Sequence, residues 1–125
     1  MTDQERRGVA YHGAAHAVVA SALGLKVGAI KICGEDNSGG AEIQLDQSHL
    51  PLVDRIAICI ASIEAKTIFN FTMHEGAERC DYAKVIRLVE GLDQETSLAV
   101  RNKGYERARE LLKTHEMKVH RLADV

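Results

Sequence analysis

Residues 8–25 read GVAYHGAAHAVVASALGL and contain no Asp, Glu, Lys or Arg. A stretch of this length approaches the minimum for a membrane-spanning helix. Its two histidines, His12 and His16, and its three glycines are unfavourable both in a bilayer and in the apolar core of a signal peptide. We therefore interpret the stretch as most of an amphipathic or buried helix of a soluble protein, and expect a cytoplasmic protein without a membrane anchor.

The flanking residues define a first helix and a hairpin. Thr2 and Glu5 have the spacing of a capping box, and Gly24 is a typical stop, so a helix over about 4–23 is predicted. Residues 26–33 are rich in β-branched side chains and residues 41–46 alternate between apolar and polar. With the turn-like segment 34–40 between them, they predict a β-hairpin after the first helix.

Three further helices are predicted. Residues from 52 to about 71 are apolar almost all round, which indicates a central buried helix. A third helix is expected over about 77–90. A last helix is expected to start after Asp93 and to continue almost to the C-terminus, with Gly104 as its weak point.

Length and composition agree with one domain. The chain has 125 residues, 46% of them apolar but only 4% aromatic, and a single proline. This predicts the α+β class, mainly α, rather than a sandwich or barrel. The formal net charge of −2 argues against a dedicated nucleic-acid binder.

Charge is unevenly distributed along the chain. Residues 34–54 hold five acidic side chains and no Lys or Arg, whereas residues 101–121 hold seven basic and three acidic side chains. We interpret both as solvated faces, with a basic docking surface as the alternative for the second segment. The three cysteines, Cys33, Cys59 and Cys80, are too few and too separated for a disulfide framework, and Cys80 is expected to be a small buried residue.

His12 and His16 stand four residues apart, so both imidazoles leave the same face of the helix, one turn apart. This geometry can hold one zinc ion. The pair alone is a weak signal, because a zinc site needs a third protein ligand and, for catalysis, an open position for water.

The surrounding sequence resembles the FtsH family of zinc peptidases in three segments. The segment HGAAHAVVA at 12–20 is similar to the family's HExxH helix, and ASIEAK at 61–66 is similar to its AGxxAE segment. Gly76-Ala77, Asp81 and Ala83 follow the family's third segment, which carries an aspartate ligand. The three segments come in the family's order over roughly residues 5–115.

The resemblance implies a single FtsH-peptidase-like domain over 1–125, a helical metallopeptidase-like fold with a small β-hairpin between the first and second helices. It further implies zinc as the metal, with His12, His16 and Asp81 as ligands. A peptide or unfolded protein is the implied partner, and a homo-oligomer is compatible with it. The alternative for Asp81 is a solvated carboxylate near a helix start.

Gly13 is the most consequential departure from the family pattern. It replaces the glutamate of HExxH, the general base that removes a proton from the attacking water. Ser62 and Lys66 also replace a glycine and a glutamate of the second segment. The chain carries no phosphate-loop motif for an ATPase module. We therefore expect a stand-alone pseudoenzyme that retains a metal site and binds peptides.

Two alternatives remain open at this point. In the first, the chain is an active zinc peptidase in which Glu64, Glu75 or Glu78 supplies the base, although a glutamate such as Glu64 on a buried helix more commonly pairs with a basic neighbour. In the second, it is a metal-free structural protein whose histidines only hydrogen-bond in the core. His74 and Glu75 are expected to be loop residues without a partner.

Overall fold

The computed structural model describes residues 2–33 and 38–124, of which residues 29–33 and 38–40 are described by their backbone alone. It confirms the α+β, mainly α class: five helices and one two-stranded antiparallel sheet. The elements in chain order are α1 (Asp3–Ala22), β1 (Val27–Cys33), β2 (Ser38–Ile43), α2 (Leu52–Phe69), α3 (Glu75–Leu88), α4 (Gln94–Thr114) and α5 (Glu116–Ala123).

Helix α1 is capped as the sequence predicts and is almost wholly enclosed. The Glu5 amide donates to the Thr2 hydroxyl at 3.1 Å, and Gly24 follows the helix with φ +88°. Every residue from Gly8 to Ala20 is buried. The neighbours that enclose the helix are α2, α5 and the hairpin. An apolar, charge-free stretch suits this position because little of its surface meets water.

The hairpin lies where it was predicted, between α1 and α2. Val27 pairs with Ile43 and Cys33 with Ser38, with an irregularity in register between Val27 and Ile30. The second strand begins at Ser38, three residues earlier than predicted, and ends at Ile43. Residues 34–37 of the predicted turn, including Glu35 and Asp36 of the acidic segment, lie outside the described residues.

Helices α2 and α4 form the most extensive helix–helix contact, and Gly104 makes it close. Helix α4 is continuous through Gly104, the residue predicted to be a weak point of the last helix. A Cβ at position 104 would lie 2.4 Å from Cγ2 of Ile56 and 3.2 Å from the carbonyl oxygen of Val53. The glycine is therefore needed for the approach of the two helices.

The last predicted helix is in fact two helices, because the chain turns at His115. This break lets α5 fold back onto α1, where Val119 is fully buried. The Tyr11 hydroxyl and Nδ1 of His120 are joined by a 2.7 Å hydrogen bond, and Phe69 packs against both rings. Tertiary packing on α1 thus overrides a helical pattern that runs on unbroken in sequence.

No helix in the described ranges is long and apolar enough to cross a membrane.

Replacing Gly104 by Ala tests the close contact between α2 and α4. Alanine is intrinsically the better helix former, yet we expect Gly104→Ala to lower the free energy of unfolding by about 1–3 kcal/mol through overpacking against Ile56. Urea unfolding gives the value. Lys103→Ala, an exposed neighbour on α4, is the control and should change it by less than about 0.5 kcal/mol. A stabilised Gly104→Ala protein would contradict the packing argument.

Candidate metal centre

The two histidines of α1 lie one turn apart on the same face, as their spacing predicts. Their ring centroids are 4.9 Å apart. Both are buried, with relative exposures of 7% for His12 and 8% for His16. Imidazoles so far from water need a polar partner, and α2 and α3 supply it.

Helix α3 brings Asp81 to the histidines. It begins at Glu75, two residues earlier than predicted, because His74 caps it: the Gly76 amide donates to Nδ1 of His74 at 3.2 Å. Asp81 is only 3% exposed, and its Oδ2 lies 3.2 Å from Nε2 of His16 and 3.7 Å from Nε2 of His12. The alternative prediction, that Asp81 is a solvated carboxylate near a helix start, was therefore wrong.

Helix α2 provides a hydrogen-bond partner for His16 and another for Asp81. The carbonyl oxygen of Ile58 lies 2.7 Å from Nδ1 of His16. One turn further along α2, the fully buried Ser62 hydroxyl donates a short hydrogen bond to Oδ2 of Asp81. Such outer contacts fix the orientation of an imidazole and a carboxylate, as they do around metal ions in proteins.

These contacts determine which atoms of His16 and Asp81 face each other. A carbonyl only accepts, so Nδ1 of His16 carries the hydrogen. Nε2 then faces Oδ2 of Asp81 either with a second hydrogen, as an imidazolium–carboxylate pair, or with a lone pair. Two lone pairs at this distance repel each other unless a proton or a cation lies between them. The arrangement therefore fits a positive charge at the centre of the three side chains.

The pKa values of His12 and Asp81 are both shifted towards forms that can bind a metal ion. Burial, and then the neighbouring charge of His16, lower the pKa of His12 to about 4, so this imidazole is neutral at pH 7. Burial raises the pKa of Asp81, but the hydrogen bond and charge of His16, the Ser62 hydroxyl and His12 outweigh it, so the net shift is downward. A neutral imidazole and an ionised carboxylate are the forms that bind metal ions.

His12, His16 and Asp81 together could hold a metal ion, since one ligand atom from each lies within 4.8 Å of the others. Two nitrogens and one carboxylate oxygen are a ligand set of intermediate softness, and three protein ligands leave a coordination position free.

The three side chains line one wall of an open cavity of about 350 Å³. Ala41, Ile43 and Leu45 alternate along β2 and the residues after it, and form an apolar wall. Leu45 is 97% exposed. The candidate metal centre is thus accessible from a cleft between the hairpin and α3.

Cys59 and Lys84 also line this cavity, and sequence reasoning missed both as site residues. Burial raises the pKa of the Cys59 thiol, an effect that the nearby ammonium of Lys84 partly opposes. Helical spacing is the signal that could have found them: Cys59 precedes Ser62 by three residues on α2, and Lys84 follows Asp81 by three on α3. Cys80, in contrast, is exposed rather than buried, because Asp81 takes the inward face of α3.

None of the three glutamates considered as a substitute base lines the cavity. A carboxylate oxygen of Glu64 lies 3.1 Å from the guanidinium of Arg109 on α4. Glu78 receives a hydrogen bond from Lys66. Glu75 is exposed and pairs with Arg79, so the expectation that His74 and Glu75 lack partners was wrong.

Comparison with known proteins adds no relatives: no protein-family model matches the chain, and no curated protein matches it.

Ser62→Ala tests the hydrogen bond from the Ser62 hydroxyl to Asp81, whether or not a metal ion is bound. Removing the hydroxyl takes a hydrogen bond from a buried carboxylate, so we expect the free energy of unfolding, measured in urea with a chelator present, to fall by about 1.5–3 kcal/mol. Ser97→Ala is the control, at a half-buried serine of α4 outside the cavity. Equal stabilities of the two variants would contradict the contact.

Proposed function

We propose that the protein is a zinc-binding domain of the FtsH-peptidase type that has lost most of its hydrolytic activity and binds peptides in the cleft beside its metal centre. The observation that carries the proposal is the buried group of His12, His16 and Asp81 on the wall of an open cavity. Its three members are those that the resemblance to the family implies. They come from two helices, and His16 and Asp81 are 65 residues apart in sequence.

We propose zinc as the metal because catalytic zinc sites in proteins commonly use two imidazoles and a carboxylate as ligands and keep the fourth coordination position open. When bound, it would act as a Lewis acid towards a peptide carbonyl in the cleft. The chain's own residues provide the rest: Ile58 and Ser62 orient the ligands, and the apolar wall of Ala41, Ile43 and Leu45 offers contacts for the side chains of an extended peptide.

Impaired hydrolysis follows from Gly13 and from the positions of the glutamates. Position 13 adjoins His12 on α1 and carries no side chain that could accept a proton from water. Glu64, Glu75 and Glu78 are each paired with a basic residue and none lines the cavity. This geometry favours a peptide-binding pseudoenzyme over a peptidase that uses one of them as its base. A reducing compartment such as the cytoplasm suits Cys59 and Cys80, which are both free thiols.

Metal analysis tests the zinc proposal. We expect the purified chain to hold close to one zinc ion, and His16→Ala to lose most of it because a ligand is removed. His49→Ala is the matched control, since His49 is exposed and lies outside the group, and its zinc content should equal that of the unmodified chain. A zinc content near zero for the unmodified, folded chain would support the metal-free structural alternative instead.

Restoring the missing base tests the relation to peptidases. We expect the unmodified chain to leave casein intact, and Gly13→Glu to hydrolyse it in a zinc-dependent way, because positioned general bases typically contribute about 10²–10⁴-fold in rate. Gly13→Gln has nearly the same size without a base and should remain inactive. Zinc content and circular dichroism establish that each variant is folded and loaded.

Two results would contradict this part of the proposal. Robust casein cleavage by the unmodified chain, abolished by a chelator, would show that the domain is an active enzyme. A folded, zinc-loaded Gly13→Glu protein without any cleavage would show that the site does not have the geometry of a peptidase.

A further inference from the structure

A second and larger cavity, of about 620 Å³, lies on the other side of α1 from the metal centre. Its α1 wall includes Ala10, Ala17 and Ser21, which by helical rotation face away from His12 and His16. The opposite wall is α5, and β1 contributes Val27 and Gly28. We refer to this cavity as the α1–α5 groove.

The α1 side of the groove is a mainly apolar trough, lined by Ala10, Ala17, Val18, Ser21 and Ala22. Its lining on α1 runs from Ala10 to Ala22, a length of about 18 Å along the helix axis. Most of these side chains are small. The volume of the groove lies within the range of small-molecule sites, about 300–1,000 Å³. A linear apolar chain fits this shape better than a peptide with alternating side chains.

One rim of the groove is basic. Lys118 and Arg121 line it from α5, where they are three residues apart and so neighbours on the helix surface, and His115 lines it from the turn before α5. In the part of the chain that the structure describes, neither Lys118 nor Arg121 has a carboxylate oxygen within 4.0 Å. Two neighbouring cations beside an apolar trough are complementary to an anionic group attached to an apolar tail.

We propose that the α1–α5 groove binds a free single-chain anionic amphiphile, such as a medium-chain fatty acid, with the tail against α1 and the carboxylate at Lys118 and Arg121. The site is separate from the cleft of the metal centre, so the proposal does not depend on zinc or on peptide binding.

Calorimetric titration of the full chain with dodecanoate, below its micelle concentration, tests the proposal. We expect saturable binding of one dodecanoate per chain. Dodecylammonium, which has the same tail and the opposite charge, should bind at least about tenfold more weakly, because charge-assisted contacts are worth about 1.5–3 kcal/mol. Equal affinity for the two probes, or no saturable binding of dodecanoate, would overturn the proposal.

Two variants locate the site. Lys118→Glu combined with Arg121→Glu should weaken dodecanoate binding at least about tenfold. The charge-matched control, Lys103→Glu with Lys113→Glu, alters exposed residues of α4 outside the groove and should leave the affinity within about twofold. Ser21→Phe, at an exposed position of the trough, should block the tail. If dodecanoate binds the double variant and Ser21→Phe as tightly as the unmodified chain, the ligand binds elsewhere and the proposed site is refuted.

A membrane surface is the competing source of anionic lipid. Binding to phosphatidylglycerol vesicles without binding to monomeric dodecanoate would overturn the proposal in favour of a peripheral membrane contact. Circular dichroism and metal content, unchanged across the variants, show that a lost signal is not lost folding.

Discussion

Burial of α1 on all its faces is the constraint on which the rest of the structure depends. Thirteen consecutive residues, Gly8 to Ala20, are withdrawn from water, so each polar side chain among them requires a partner from another element. Tyr11 finds His120 on α5, and His16 finds Ile58 on α2 and Asp81 on α3. The polar groups of one helix thereby fix the positions of three others.

Helix α1 also separates two cavities of opposite character. One face carries the imidazoles and borders a cleft with a carboxylate, a thiol and an ammonium group. The other carries small apolar side chains and borders a trough with a basic rim. Small residues on both faces let the neighbouring helices and the hairpin approach α1 closely.

The sequence was sufficient for those features that arise from local patterns. Capping by Thr2 and Asp93, the stop at Gly24 and the shared face of His12 and His16 each depend on residues within a turn or two of one another. The structure places them as expected. The proximity of Asp81 to the histidines was implied only by the family resemblance, because no local rule joins residues 65 positions apart.

The features that sequence reasoning missed arise from contacts between distant elements. The turn at His115 exists because α5 packs on α1, and Gly104 is a point of close approach because Ile56 lies opposite it. Neither cause is visible in a helical pattern. The same holds for Cys59 and Lys84, whose places in the cleft depend on how α2 and α3 are oriented.

Helix α3 has a further property that bears on the metal centre. It packs chiefly against α2, yet it supplies one of the three ligand atoms, whereas the other two belong to the enclosed α1. A bound ion would join α1 to α3 through His16 and Asp81 and stabilise the folded form by mass action, because only the fold brings its ligands together. Occupancy of the centre would then set how often α3 detaches locally, and amide hydrogen exchange along this single helix would report whether the ion is bound.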